Sequence, residues 1–301
     1  MIAVRVAAQG LLVLAAVGCR PVSGRAANDF DSAGLAQRAV RLAKMMARPD
    51  SGADRDKPLS RWMMPMTLTE ISGIALTADQ RLFAHDDEKA WISEIDYRRG
   101  VVIKRFALGK PSIRADFEAI AIANDAFFLL VSNGDIYEFR EGADGERVDY
   151  AVHDTHLAQQ CEFEGMAYDP AISSLVLACK HVLSKTMKGS LVLYRWKLDG
   201  AKGEALSPLT VPLAKVIGAN RWQGFHPSDL TIDPFNGNYV LISSLERAIA
   251  EITPAGELVF SRPLPGRHDH PEGVAITRDS ILMISDEAVS RAGALTLYRW
   301  P

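Results

Sequence analysis

Three glutamates stand at matching places in a short phrase that the chain repeats: Glu118-Ala119-Ile120-Ala121, Glu164-Gly165-Met166-Ala167 and Glu272-Gly273-Val274-Ala275. Two further copies open on serine, Ser72-Gly73-Ile74-Ala75 and Ser228-Asp229-Leu230-Thr231. Carboxylates brought together by a repeat repel one another and raise one another's pKa. A hard divalent cation relieves the repulsion, since Ca²⁺ takes about six to eight oxygen ligands. The same glutamates can instead accept backbone N–H groups of the next repeat and hold the array together, or seat a cationic ligand directly. Which of these applies depends on what the repeat builds.

The copies are spaced by about 46, 46, 64 and 44 residues, a period that marks a repeat architecture. Each copy opens a unit of short β-type runs separated by turn residues, without a convincing helix. In the second unit the runs are Phe117–Ile122, Ala126–Ser132, Ile136–Arg140 and Arg147–Val152, with an Asn133-Gly134 hairpin signal. The expected fold is therefore all-β, a five-bladed propeller of four-stranded blades over residues 58–301. The fifth unit stops at Trp300 without an outer strand, whereas Arg61–Leu68 precedes the first phrase as a strand without a blade. Lending that strand to the last blade closes the ring and removes its open edges.

In such a ring the start of each inner strand lies beside the end of the second strand, on one face. That face collects Glu70, Ser72, Asp86 and Asp87 from blade 1, and Asp116, Glu118 and Asn133 from blade 2. Blade 3 adds Glu162, Glu164, Lys180 and His181; blade 4 adds His226, Ser228, Asp229 and Glu246; blade 5 adds His270, Glu272, Asp286 and Glu287. The expected metal ligands are Glu118, Glu164 and Glu272, with Asp86 and Glu287 behind them, and the expected ion is Ca²⁺ or another divalent cation. His226, His270 and Lys180 are the catalytic candidates: His85, His226 or His270 to carry protons, Lys180 to hold an anionic group. Each histidine also reads as an ordinary polar rim residue. The long step contains insertions at His181–Ser190 and Ala214–Phe225, the second carrying Trp222. Such loops on a rigid scaffold carry binding function or drift freely.

Cys161 opens the inner strand of blade 3 and Cys179 ends the second, symmetric about a turn near Pro170. In an oxidising compartment they form a disulfide; otherwise they are two small buried residues. The N-terminus points to such a compartment. Arg5 is followed by an uncharged run, Val6 to Gly18, and by Ala16-Val17-Gly18-Cys19, a pattern of secretory signals that resembles a bacterial lipobox. Residues 1–19 are read as a lipoprotein-type signal segment with Cys19 lipidated, and residues 20–57 as a tether. Ser32 to about Ala47 is a helix candidate, with Leu35, Ala39, Leu42 and Met46 on one face and Arg38, Arg41 and Lys44 elsewhere. It reads either as a partly helical spacer or as a basic amphipathic helix on a membrane surface.

The composition, 48% hydrophobic and 24% charged with net charge −3, is globular. No basic stripe interleaved with aromatics suggests nucleic acid. There is no glycine-rich phosphate loop, no Gly-x-Ser-x-Gly elbow and no paired CxxC spacing.

Taken in order, Phe117–Ala121, Cys161–Pro170, Leu177–Lys180, His226–Leu230 and His270–Val274 resemble the SdiA-regulated family of bacterial envelope β-propellers, across about Glu70 to Trp300. Asp229 departs from it, where family members often carry Gly. The resemblance implies a propeller in the cell envelope, lipid-anchored, periplasmic or at the outer membrane. Phytase-like and lactonase-like propellers are similar in holding calcium on their axis. The expected function is a monomeric, envelope-tethered module that binds a small molecule or an envelope protein through an axial cation site. The alternative is a metal-dependent hydrolase of phosphoesterase or lactonase type.

Overall fold

The computed structural model describes residues 32–49, 52, 55–198, 207–287 and 292–301. Cys19 and the signal segment lie outside the described residues. Five sheets, each built on four antiparallel strands, follow one another along the chain. Blade 1 is Ile71–Leu76, Leu82–Asp86, Trp91–Asp96 and Val101–Leu108; blade 2 is Phe117–Ala123, Ala126–Val131, Ile136–Arg140 and Tyr150–His153. Blade 3 is Cys161–Asp169, Ser174–Val182, Ser190–Lys197 and Pro208–Pro212; blade 4 is Asp229–Ile232, Tyr239–Ser243, Ala248–Ile252 and Leu258–Pro263. Blade 5 is Pro271–Ile276, Ile281–Asp286 and Ala294–Arg299, completed by Ser60–Met63 from the other end of the chain. The ring is thus a five-bladed propeller closed by its N-terminal strand, with Arg61 opposite Thr296 and Met63 opposite Ala294.

The closing strand is shorter than the sequence suggests. Pro65 has no N–H for the ladder, so pairing ends at Met63 and the chain turns through a short 3₁₀ helix, Met66–Leu68. Trp62 latches the join. Its indole Nε1 donates to the carbonyl of Tyr97 at 2.8 Å, and its ring lies on Gly100, at φ 69°, where a Cβ would stand 2.4 Å from the indole.

Middle strands such as Ala126–Val131 read as continuous apolar runs because each is covered on both faces by the flanking blades. The core accordingly divides into clusters, one in each seam between neighbouring blades. Phe83, Phe106, Phe117 and Phe127 fill the seam of blades 1 and 2, and Phe128, Phe163 and Leu177 that of blades 2 and 3. Leu193 and Leu241 pack between blades 3 and 4, and Ile242 and Ile284 between blades 4 and 5. The seam of blades 5 and 1 holds Leu82, Ile95, Met283 and Leu295, and takes a further residue, Leu42.

Leu42 belongs to helix α1, Ser32–Met46, within the segment read as the tether. The apolar face expected from the sequence turns toward the propeller: Leu42 is fully buried and Met46 packs on the same cluster. Burying one leucine contributes about 1.5–3 kcal/mol. Arg299 Nη2 donates to the carbonyls of Met45 (2.9 Å), Met46 (3.2 Å) and Arg48 (3.0 Å), meeting the partial negative charge of the helix end. The helix therefore covers the seam at which the ring closes.

Two local features depart from the sequence reading. Arg147–Val148 is not part of the outer strand of blade 2. It pairs in parallel with Ala107 and Leu108 as a fifth strand of blade 1, and the chain then crosses to blade 2 at Tyr150. The insertion before blade 4 begins with a short helix, α2, Leu213–Ile217.

Candidate functional site: the acidic mouth

The repeated phrase marks more than the start of an inner strand. In blades 2, 3 and 5 the pairing with the second strand slips by one residue at the glutamate. Phe117 pairs with Val131 and Ala119 with Leu130; Phe163 pairs with Cys179 and Gly165 with Ala178; Pro271 pairs with Asp286 and Gly273 with Ser285. Glu118, Glu164 and Glu272 are the extra residues of three β-bulges. A bulged residue is left out of the ladder and its side chain is re-aimed. Blade 1 slips at Ser72 and Gly73, whereas blade 4 is in register from Asp229. The second residue of the phrase is Gly or Ala in four of the five copies, with Asp229 the exception, because the inner strands nearly touch there. A Cβ on Gly73 would lie 3.1 Å from the Cα of Ala119, and one on Gly165 would lie 3.1 Å from that of Asp229.

The three glutamates converge on one lysine. Lys180 Nζ donates to Glu164 Oε1 and lies close enough to Glu118 and Glu272 to respond to both charges. Burial pulls the lysine pKa down, but these carboxylates outweigh it and the net shift is upward. Burial raises Glu118 to about 9, helped by the charges of Glu164 and Asp116. Its carboxylate makes no hydrogen bond among the described residues. Burial also raises Glu164, to about 7, with Lys180 restraining it. Glu272 is raised by burial to about 6, against the pull of His270 and Lys180.

Beside them, His270 Nδ1 lies 2.8 Å from Glu287 Oε2 and 3.1 Å from Glu272 Oε1, so one N–H is shared by two carboxylates. The bond to Glu287 raises the histidine pKa. Candidate ligand atoms of His270, Glu272 and Glu287 all lie within 4.8 Å of one another, as do those of Glu70, Asp86 and Asp87. Burial raises Asp87 to about 6, with Glu70 and Glu287 adding to it, so the two groups sense each other across the seam. Of the five expected ligands, Glu272 and Glu287 share one such group and Asp86 stands in the other. Glu164 is paired with Lys180 instead, and Glu118 feels the lysine charge without a bond to it.

The remaining candidates separate into rim and frame. His226 Nδ1 is held by Glu246 at 2.8 Å, and its ring faces His181 at 5.2 Å. His85 is fully buried; its Nε2 accepts the Gly73 N–H at 2.9 Å, and burial lowers its pKa to about 4. That is a framing residue, not a proton carrier at the mouth. Asp229 is buried, raised well above the carboxylate range by burial, and accepts the Val274 N–H at 2.8 Å. Ser228 Oγ donates to Pro271 O at 2.8 Å, and Ser285 Oγ to Ser72 O at 2.9 Å.

Sequence reasoning missed His268. It is buried, with Nδ1 2.7 Å from Asp286 and Nε2 2.9 Å from the Tyr298 hydroxyl, and so fixes the strand end that carries Glu287. The signal was present in His268-Asp269-His270, but the partner on the third strand is not legible from spacing. The cysteines do form a disulfide, with Cα atoms 5.4 Å apart. They are not directly opposed, since Cys161 faces Val182 and Cys179 faces Phe163. The bridge therefore runs diagonally across the point where Lys180 is left out of the second strand, next to the bulge that carries Glu164.

Both insertions reach this same face. The 3₁₀ turn Lys185–Met187 follows the end of the second strand of blade 3, and the segment carrying Trp222 leads into blade 4. Trp222 lies near Phe225, at 6.4 Å between ring centroids, and packs on the seam of blades 3 and 4.

No protein-family model matches the chain, and no curated protein matches it. Among solved structures, the PQQ-bound aldose sugar dehydrogenase of Streptomyces coelicolor is similar at 13% identity and TM-score 0.52, covering 80% of this chain and 97% of that one. The glutaminyl cyclase of Myxococcus xanthus is similar at 14% identity and TM-score 0.51, covering 81% and 97%. A gluconolactonase of Xanthomonas campestris matches at 17% identity and TM-score 0.43, covering 76% and 72%. The first two likenesses carry the fold and nothing about activity.

Proposed function

We propose that the protein is an envelope-tethered propeller of the SdiA-regulated type whose acidic mouth binds a divalent cation, and through it a small ligand or an envelope partner. The observation that carries this reading is the convergence of His270, Glu272 and Glu287 beside the unpartnered carboxylate of Glu118. The Nδ1 proton of His270 now holds two carboxylates together. A divalent cation among the same three residues would take over that role and add a positive charge beside Glu118, opposing the burial and the Glu164 and Asp116 charges that raise it. Lys180 acts as a resident counter-cation for Glu164, so cation entry competes with it. The donor set is mixed, imidazole and carboxylate, which suits Mn²⁺ or Zn²⁺ as well as Ca²⁺. The leader pattern ending at Cys19 and the disulfide support placement in an oxidising envelope compartment.

The hydrolase alternative gains one observation: Glu246 holds His226 by Nδ1, which leaves Nε2 as the ring nitrogen available to take a proton at the rim.

The test is thermal unfolding with Ca²⁺, Mg²⁺, Mn²⁺ and Zn²⁺ against a chelator. Binding of a cation at 100 times its Kd stabilises by about 2.7 kcal/mol. Lys180→Met should tighten binding by removing the competitor, while Glu272→Gln should weaken it at least tenfold. Affinity should rise with pH, because His270 and the neighbouring carboxyl groups lose their protons to solvent when the cation binds. No response to any of the four cations would refute the reading. Hydrolysis of phosphate-ester or lactone probes that needs the cation and is lost in His226→Gln would favour the alternative.

A further inference from the structure

Helix α1 has a second face. Residues 32–49 contain Arg38, Arg41, Lys44 and Arg48 and no Asp or Glu, in a chain whose net charge is −3. Arg38 is engaged with the propeller: its Nη1 donates to Arg99 O at 3.2 Å and its guanidinium lies 5.5 Å over the Trp62 ring. Arg41, Lys44 and Arg48 are exposed and have no acidic partner among the described residues. The helix touches the turn at Arg99, between the third and outer strands of blade 1, and Arg299 at the end of the third strand of blade 5. Both lie at the ends of strands opposite to the glutamate bulges. The basic helix and the acidic mouth are therefore on opposite faces of the ring.

We infer that the outward face of α1 docks on an anionic lipid surface and turns the mouth away from the membrane. The apolar face of the helix is already buried against the seam of blades 5 and 1, so the contact is electrostatic and not an insertion. Among the described residues no helix is long and apolar enough to cross a membrane. Charge complementarity selects the occupant, since each Lys or Arg near an anionic leaflet strengthens attachment several-fold. Chain length keeps the helix within reach of the surface if the leader is membrane-bound. Twelve residues lie between Cys19 and Ser32, a reach of at most roughly 45 Å even when fully extended. The same charges would repel the acidic mouth from that surface. The orientation does not depend on whether the mouth binds a cation.

The test uses the full-length protein reconstituted with vesicles of phosphatidylcholine alone or mixed with phosphatidylglycerol. Expressing binding as the ratio between the two lipid compositions cancels the contribution of the apolar leader. The ratio should exceed one, collapse in high salt, and fall on the order of a hundredfold in R41Q/K44Q/R48Q. Acetylation footprinting gives the orientation. Lys44 should be protected on phosphatidylglycerol vesicles only, while Lys188, exposed on the mouth face, should react equally on both. Equal ratios for the parent and the triple variant overturn the inference. So does equal reactivity of Lys44 on both lipids, or equal protection of Lys44 and Lys188. The footprint and the salt dependence of the parent protein decide the matter even if the triple variant fails to fold.

Discussion

Blades 2, 3 and 5 differ from blades 1 and 4 at one position of one phrase, and the difference separates chemistry from construction. In blades 1 and 4 a serine stands there, and the polar residues at and beside it are buried and satisfied. His85 accepts the Gly73 N–H, Ser228 reaches Pro271 O, and Asp229 accepts the Val274 N–H of the next blade. In blades 2, 3 and 5 a bulge lifts a glutamate out of the ladder, and its carboxylate finds a lysine, a histidine or nothing. Burial raises the pKa on both sides of the comparison, for Asp229 as for Glu118. Burial alone therefore does not mark a functional carboxylate. The distinguishing fact is that Asp229 is held by the backbone of its neighbours and Glu118 is not.

The largest effect should come from the disulfide, which staples the bulge of blade 3 and has no counterpart at Glu118 or Glu272. Replacing Cys161 and Cys179 by serine should cost about 3 kcal/mol, as measured by denaturant unfolding, because the bridge closes a loop of 18 residues. If the comparison is sound, the loss should also weaken the Glu164–Lys180 pair. Divalent-cation affinity should then change while the bulges of blades 2 and 5 stay intact. A variant with altered stability but unaltered cation response would place the bridge in the frame only.

The bulges also explain what could be read in the sequence and what could not. Five copies of one phrase fix the number of blades and the face on which Glu118, Glu164 and Glu272 lie. A strand without a blade at one end, and a blade without a strand at the other, fix the closure. The bulge is invisible, because an extra residue on one strand leaves the spacing between phrases unchanged. The symmetry about Pro170 places the cysteines face to face because it centres the turn too early: Asp169 pairs with Ser174, so the hairpin turns between Ala171 and Ile172 and the cysteines sit diagonally. Pro65 could have been used to end the closing strand. The crossing of Arg147–Val148 to blade 1 could not, since parallel pairing of two residues leaves no periodicity. The docking of α1 rests on Leu42 entering a seam that exists only once the ring is closed.

The second effect tests the frame. Asp229→Ala should cost about 2 kcal/mol, because it leaves the buried Val274 N–H without an acceptor. Asp229→Asn keeps an amide oxygen in the same place and should cost about half as much or less. If Asn is as damaging as Ala, the negative charge of Asp229 matters, and the boundary between the two groups of blades is in the wrong place.

The smallest effect has the opposite sign and bears directly on Glu118. In the folded protein this carboxyl holds its proton to about pH 9, whereas the ordinary value is 4.5. The folded state therefore keeps a proton that the unfolded chain gives up between those values. A group of this kind contributes its full stability below about pH 4.5 and loses it as pH rises toward 9. Glu164, raised to about 7, and Glu272, raised to about 6, act in the same sense over narrower windows. Cation-free protein should then lose stability steadily from pH 5 to 9. Glu118→Gln removes the charge at constant shape, so it should flatten the upper part of that slope and stabilise by about 1 kcal/mol at pH 8. The measurement is chemical denaturation in chelator across that range. Should Glu118→Gln destabilise at every pH, the glutamate is a strut like Asp229, and the acidic mouth is part of the frame.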